Sequence, residues 1–145
     1  MPFSTYDLRN VSLLICAIPI SEAPGEDEFI KIKPHEEAYA VVKGADGSVI
    51  RCATNNRLYE WSLTLSQNSP HNVQLSALHA VDKADTNGAG VGAFILENLG
   101  GGTLVTAVHC WITQLPEFTY GKMAKPVVWE GYFEASPAQV ILGGT

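Results

Sequence analysis

The sequence predicts a mainly β protein: an antiparallel β-sandwich or half-barrel with one flanking α-helix. Apolar and polar residues alternate strictly over residues 58–66, which gives a strand one apolar and one polar face. A polar face beside a buried one suits an antiparallel sheet that is covered on one side only. Apolar runs flank the turn-forming residues 44–47 and 100–102, which predicts two hairpins. Because strands and helices do not alternate regularly, a parallel sheet is disfavoured.

The strands are predicted from apolar runs that end at turn residues. Residues 7–18 are rich in Val, Leu and Ile and form a first strand, which Pro19 ends. An acidic loop over 21–28 leads to a short strand, 29–33, in which apolar and basic residues alternate before Pro34. The remaining strands are placed at 39–43, 49–53, 58–66, 93–99, 103–112 and 127–134, and the tail 136–145 carries a short apolar run.

One helix is predicted after Ser69 and Pro70. The serine acts as the N-cap that accepts free amide hydrogens, and proline is tolerated at the first helical position. An apolar stripe then recurs at helical spacing and predicts the face that packs on the sheet; it consists of Val73, Ala77, Leu78 and Val81, widened by Leu75.

Two strands present polar faces that cannot belong to the core. The first face consists of Glu60, Ser62, Thr64 and Ser66. Burying one charge and three hydroxyls together would be costly, so this face must meet water or another subunit. In the strand 127–134, Glu130 and Glu134 share a face with Tyr132, and Trp129, Gly131 and Phe133 occupy the packed side.

The bulk composition predicts one domain, over residues 1–145, with much of its surface in contacts. Charged residues make up 17% of the chain, against about 25% in an ordinary soluble protein. This suits a subunit that hides its surface in an assembly, although a weakly charged monomer is the open alternative. The net charge of −6 argues against binding of nucleic acid through its phosphates.

The cysteines predict reduced thiols in a chain made in the cytoplasm. Cys16, Cys52 and Cys110 are odd in number and far apart, which does not suit a disulfide framework. The N-terminus lacks a signal-peptide pattern, and no apolar segment approaches the ~20 residues that span a bilayer. We therefore expect no membrane insertion by this subunit.

Three motifs resemble chemical sites but do not meet the requirements of one. The glycines of residues 88–92 follow a helix and precede a strand, which is the reverse of a dinucleotide loop. His35, Glu36 and Glu37 are adjacent, so an extended chain points them in opposite directions and they cannot easily share a metal ion. His109 and Cys110 are likewise neighbours on a strand, and a Gly-x-Ser-x-Gly elbow is missing. We expect no catalytic residue, metal or cofactor, and no enzyme activity.

A small β-sandwich carbohydrate-binding module is the alternative from a different class. Its binding platform would be built from aromatic side chains on strands, namely Tyr59, Trp61, Trp111, Trp129, Tyr132 and Phe133. Aromatic residues on strands are more often core or interface anchors.

Several segments make the chain resemble phage tail tube proteins, and most of all the small tube subunit of contractile-tailed, myovirus-like phages and prophages. The similarity is spread over nearly the whole chain. It is carried by STYDLRNVSLLICAIPI near the N-terminus, KGADGSVIRCATNNR, the strand and helix block from Thr54 to Asp82, the GAGVG run and the terminal LGGT.

The resemblance implies a structural protein of the virion tail, synthesised in the host bacterial cytoplasm. Its subunits would form hexameric rings that stack into a rigid tube inside a contractile sheath, and DNA would pass through the lumen without specific binding during ejection. The implied partners are other copies of the chain, the tail sheath protein, baseplate or tube initiator proteins and tail terminator proteins. A tube initiator, a phage-like particle or a type VI secretion tube is a variant of the same interpretation.

The resemblance also assigns roles to the polar residues. The lumen-facing candidates are Glu60, Ser62, Thr64, Ser66, Glu130 and Glu134, which would make the channel polar and on balance negative; the open alternative is that these faces lie on the outer wall. A projecting hairpin over about 35–57 would contact the adjacent ring. The candidates for that contact are Gly44, Asp46, Gly47, Ser48, Arg51 and Arg57.

Overall fold

The computed structural model describes residues 11–20, 30–98 and 101–143. These residues form ten strands, one α-helix and a short 3₁₀ turn at Pro137–Gln139. The strands are β1 (Val11–Ile15), β2 (Ile18–Ile20), β3 (Ile30–Pro34), β4 (Tyr39–Lys43), β5 (Val49–Ala53), β6 (Leu58–Leu65), β7 (Gly92–Asn98), β8 (Leu104–Gln114), β9 (Val127–Glu134) and β10 (Val140–Ile141). The helix α1 spans His71–Ala84 between β6 and β7.

The strands form one large antiparallel sheet and one separate hairpin. The large sheet has the order β2-β1-β7-β8-β9-β6-β3, and β10 pairs with part of β8. Strands β4 and β5 pair with each other in a second, two-stranded sheet. The predicted class, mainly β with antiparallel sheets and one flanking helix, is confirmed.

The large sheet curls over an aromatic core. Strands β6 and β7 are three strand spacings apart in the sheet, about 14 Å if the sheet were flat. The ring centroids of Trp61 on β6 and Phe94 on β7 nevertheless lie 6.3 Å apart. Phe94 also stacks on Phe133 of β9 at 4.6 Å. The buried rings therefore fill the inside of a curved sheet, as in a half-barrel.

The first predicted strand is wrong, because the chain turns back at Cys16 and Ala17. Both residues have positive φ angles, 51° and 69°, and they join β1 to β2 with Ile15 opposite Ile18. Pro19 lies within β2 and does not end a strand. Proline is tolerated there because β2 is an edge strand, where a missing N–H group costs no ladder hydrogen bond. The predicted acidic loop over 21–28 lies outside the described residues.

The helix begins at His71. This is one residue later than predicted, because the prediction took Ser69 as the N-cap and Pro70 as the first helical residue. Pro70 occupies the cap position, and the Ser69 hydroxyl accepts a hydrogen bond from the His71 amide at 3.3 Å. Helix and sheet are joined where the indole N–H of Trp129 donates to the side-chain oxygen of Asn72 at 2.9 Å. Asn72 in turn donates to the Ser66 carbonyl at 3.0 Å.

The predicted apolar stripe of the helix is wrong about which face is buried. Leu75 is fully buried and Leu78 half-buried, whereas Val73 and Val81 are 73% and 53% exposed. Asn72 sets the rotation of the helix, because its hydrogen bond to Trp129 holds that side against the sheet. A second apolar stripe is thereby left on the outside. Periodicity alone does not distinguish two apolar stripes on one helix.

Candidate functional site: the polar sheet face and the exposed hairpin

The polar faces of β6 and β9 form one continuous surface. Ser62 pairs with Glu130, and Glu60 pairs with Tyr132. Residues directly opposite each other in an antiparallel pair share a face of the sheet. Glu130 and Glu134 are exposed, and Glu60, Ser62 and Thr64 are half-buried; Ser66, just past the end of β6, is exposed. The opposite face holds the buried residues Trp61, Leu63, Leu65, Val127, Trp129, Gly131 and Phe133.

Strand β3 adds positive charges to this polar face. Lys31 lies opposite Ser62 and Lys33 lies opposite Glu60. The Lys33 Nζ atom is 3.7 Å from Glu60 Oε2, and His35 Nδ1 is 3.9 Å from the same oxygen. These partners do not follow from the sequence, because the pairing of β3 with β6 is not visible in the pattern of either strand. The alternation in residues 29–33, which places both lysines on one side, was the available signal.

Arg57 lies beside this face and not at the tip of the hairpin. Its Nε atom is 3.7 Å from Glu134 Oε1, and both side chains are about half exposed or more. Such exposed ion pairs contribute about 0–1 kcal/mol. Glu130 makes no ion pair within the part of the chain that the structure describes. The face therefore carries both signs of charge in equal number, and Lys31 and Glu130 are its members without an ion pair to a described residue.

The aromatic residues do not form a single platform. Trp61, Trp129 and Phe133 are buried in the core. Trp111 and Tyr132 lie on the polar face of the sheet, with ring centroids 6.2 Å apart. A carbohydrate-binding surface built from all six aromatics is therefore not formed, because the sheet separates them onto two sides.

The β4–β5 hairpin is exposed along its whole length. The register places Val41 opposite Arg51 and Val42 opposite Ile50. Val41, Val42, Val49 and Ile50 are each between 51% and 64% exposed. We call one side of this hairpin the apolar hairpin face; it consists only of Ala40, Val42, Ile50 and Cys52. The other side is mixed, and the Arg51 guanidinium lies 4.1 Å from the Tyr39 ring centroid.

Four of the six residues predicted to contact the next ring meet at the hairpin tip. The Gly47 amide donates to the Gly44 carbonyl at 3.0 Å, and Gly47 has a φ of 89° that favours glycine. The Asp46 carboxylate accepts a hydrogen bond from the Ser48 amide at 3.0 Å. Hydrogen bonds from Ser48 lower the pKa of Asp46, because they favour its charged form. Arg51 lies further along β5.

The base of the hairpin is tied by side-chain hydrogen bonds. The Thr54 hydroxyl donates to the Glu37 carbonyl at 2.5 Å. The Asn56 amide group donates to the Glu36 carbonyl at 3.3 Å and to the Leu58 carbonyl at 3.1 Å. These bonds hold the two legs together where they leave the large sheet, so the hairpin has a defined direction.

The remaining polar groups do not assemble into a chemical site. Cys16 Sγ lies 3.4 Å from Cys110 Sγ in the core. Burial raises the pKa of the Cys110 thiol, so this thiol stays protonated and is a poor nucleophile. Gly90 donates to the Asp82 carboxylate at 3.1 Å within a helix-to-strand connection. The described residues contain no group of three or more His, Cys, Asp or Glu side chains that could hold a metal ion.

The one helix of the described ranges is too short and too polar to cross a membrane. Comparison with protein families gives a match over nearly the whole chain. The family model described as bacteriophage PhiTE tail tube protein matches residues 3–143. A search of curated proteins finds no match to this chain.

Proposed function

This chain belongs to the bacteriophage PhiTE tail tube protein family, and from that premise we propose that it forms hexameric rings which stack into the inner tube of a contractile tail. Membership of a tail tube family implies a structural component of the virion tail that self-assembles into a tube and meets other tail components. Here DNA passes through the lumen of the tube during ejection.

The exposed β4–β5 hairpin is the observation that carries this proposal. An isolated two-stranded hairpin is at best marginally stable in water. This hairpin also exposes four large apolar side chains, with Val42 and Ile50 on one side and Val41 and Val49 on the other. Exposed apolar surface of this kind marks interaction sites. A contact with the adjacent ring covers these residues, with Gly44, Asp46, Gly47, Ser48 and Arg51 at or near the point of contact.

Ring closure gives each edge strand of the large sheet a partner in a neighbouring subunit. Strands β2 and β3 are its edge strands, and unpaired edges are open to pairing with another chain. In a closed ring every subunit meets two identical neighbours, so no edge remains exposed. The low charged fraction of 17% suits such a subunit.

The polar face of β6 and β9 is our candidate for the wall of the lumen. Its members are Glu60, Ser62, Thr64, Ser66, Glu130 and Glu134. Lys33 and Arg57 offset two of the carboxylates, and Lys31 lies on the same face, so the face has no net charge. Glu130 is the carboxylate of the face that makes no ion pair with a described residue, and it repeats around each ring. At physiological salt its repulsion of DNA phosphates acts within about 8 Å. A location of this face on the outer wall is the competing arrangement.

The partners in this proposal are those of a tube within a contractile tail. The sheath surrounds the tube, the baseplate or tube initiator starts its assembly, and the tail terminator ends it. The subunit is synthesised in the host bacterial cytoplasm. A tube initiator, a phage-like particle or a type VI secretion tube would use the same ring geometry, and the family match favours a phage.

Sedimentation and negative-stain electron microscopy of the purified chain test this function. We expect rings of six 15.6 kDa subunits and hollow tubes at higher protein concentration. A strict monomer at high concentration, with no rings in the images, would overturn the proposal.

A further inference from the structure

The outward side of helix α1 is apolar along its length. This surface, the outer helix face, consists of Val73, Ala77, Ala80, Val81 and Ala84, and all five are exposed. Single exposed apolar residues are ordinary. Here five of them fall within roughly 100° of the helix circumference, with Val73 at 73% exposure. None of the described residues covers this face.

The outer helix face continues into an apolar groove. The groove lies between α1 and residues 115–120 and has a volume of about 570 Å³. Ala80 belongs both to its lining and to the outer helix face, and the polar helix residues Asn72, Ser76, His79 and Lys83 line its other side. Trp129 forms part of its lining, and Phe118 and Tyr120 line it with 59% and 81% of their surface exposed. Helix face and groove together form an apolar surface much larger than a single side chain, as expected of an interface.

We propose that the outer helix face receives the apolar hairpin face of a second copy, from the adjacent ring. This inference rests on the proposed function and adds the surface on which the hairpin docks. The occupant is another copy because membership of the tail tube family implies self-assembly. The same chain also presents the apolar hairpin face, formed by Ala40, Val42, Ile50 and Cys52, with no cover of its own.

The two surfaces agree in chemistry. The outer helix face runs about 16 Å from Val73 to Ala84, and the apolar hairpin face runs about 7 Å from Ala40 to Val42, so the hairpin covers part of the helix. Neither surface contains a charged side chain, and the alanines allow a close approach of the hairpin. The charges that flank them have opposite signs. Lys43 and Arg51 outnumber the one acidic residue of the hairpin, whereas Asp82 and Asp85 outnumber the one basic residue at the end of the helix.

The contact is of the head-to-tail type. Within a pair, the first copy contributes its hairpin and the second contributes its helix. The first copy therefore keeps a free helix face, and the second keeps a free hairpin. Such heterologous contacts do not close within a pair and generate open filaments. This arrangement accounts for stacking along the tube axis.

The native Cys52 provides the test, because it is the exposed cysteine of the chain and Cys16 and Cys110 are buried. We would assemble tubes from Val81→Cys, oxidise them with diamide, and run a non-reducing gel. The matched control is Glu97→Cys, which is also exposed but lies on β7, outside the outer helix face, the groove and the hairpin. The double variant Val81→Cys/Cys52→Ser controls for the native partner.

We expect a ladder of dimers, trimers and longer species for Val81→Cys, at least tenfold more abundant than in either control. Tubes of normal length without such a ladder would overturn the docking surface and leave the tube function standing. A ladder from Glu97→Cys alone would also overturn the docking surface. If the wild-type chain forms no rings or tubes, the proposed function itself fails.

If the Val81→Cys variant does not assemble, maleimide labelling of wild-type Cys52 tests whether the hairpin is covered in tubes. Labelling in tubes should be at least tenfold slower than in the dissociated subunit. An equal rate in both states would overturn the proposal. Free labelling of Ala77→Cys in intact tubes would also overturn it, because the helix would then face the sheath or solvent.

Discussion

The packing of the core requires a glycine at residue 131. A Cβ atom there would overlap the Trp111 carbonyl oxygen and lie 2.5 Å from the Trp61 indole. The indole can lie over the backbone of β9 because Trp61 pairs directly with Gly131. The sequence places Gly131 on the packed side, but the side chain that fills its space depends on the register of β6 against β9.

The Gly131→Ala variant should therefore be less stable. Overpacking of a core costs about 1–3 kcal/mol, which lowers the melting temperature by roughly 3–10 °C in a domain of this size. The measurement is thermal unfolding at fixed protein concentration. Gly121→Ala is the control, because a Cβ atom there meets nothing within 4 Å. Equal melting temperatures for the two variants would contradict the packing described for Trp61.

At the scale of elements, sequence patterns predict strands well where one face is buried and one is polar. The bounds of β9 and of both hairpin strands β4 and β5 are as predicted, and β6 ends one residue early. The turn at Cys16 and Ala17 was missed because neither residue is typical of positive φ. Lys33 of β3 was missed as the partner of Glu60, because strand order is set by contacts far apart in sequence.

Removal of the hairpin tip should separate folding from stacking. Deleting residues 44–48 removes the turn but leaves the large sheet, because β4 and β5 pair only with each other among the described strands. We expect single rings at normal yield and no long tubes in negative-stain images. Ala45→Ser, which keeps the turn, is the control and should give normal tubes. Long tubes from the deletion variant would show that the hairpin has no role in stacking.

At the scale of the whole molecule, the lumen assignment makes the charge at residue 130 important for DNA and unimportant for the fold. Glu130 is exposed and makes no ion pair with any described residue, so its replacement should change the melting temperature by less than roughly 2 °C. Glu130→Lys places a ring of positive charges in the channel, which attracts phosphates. Virions with this variant should assemble and eject DNA more slowly.

Glu130→Gln is the matched control, because it keeps the size of the side chain and removes only the charge. Its ejection rate should lie between those of the wild type and Glu130→Lys, and higher salt should reduce the difference. Identical rates for all three proteins would place residue 130 away from the DNA.

A cryo-electron microscopy map of tubes assembled from the purified chain tests the central claim most directly. The account predicts six copies in each ring, with Glu60 and Glu130 directed toward the axis of a hollow lumen and the β4–β5 hairpin lying on the adjacent ring. Tubes in which Glu60 and Glu130 point to the outer wall would contradict the lumen assignment, and a chain that forms no ring would contradict the account as a whole.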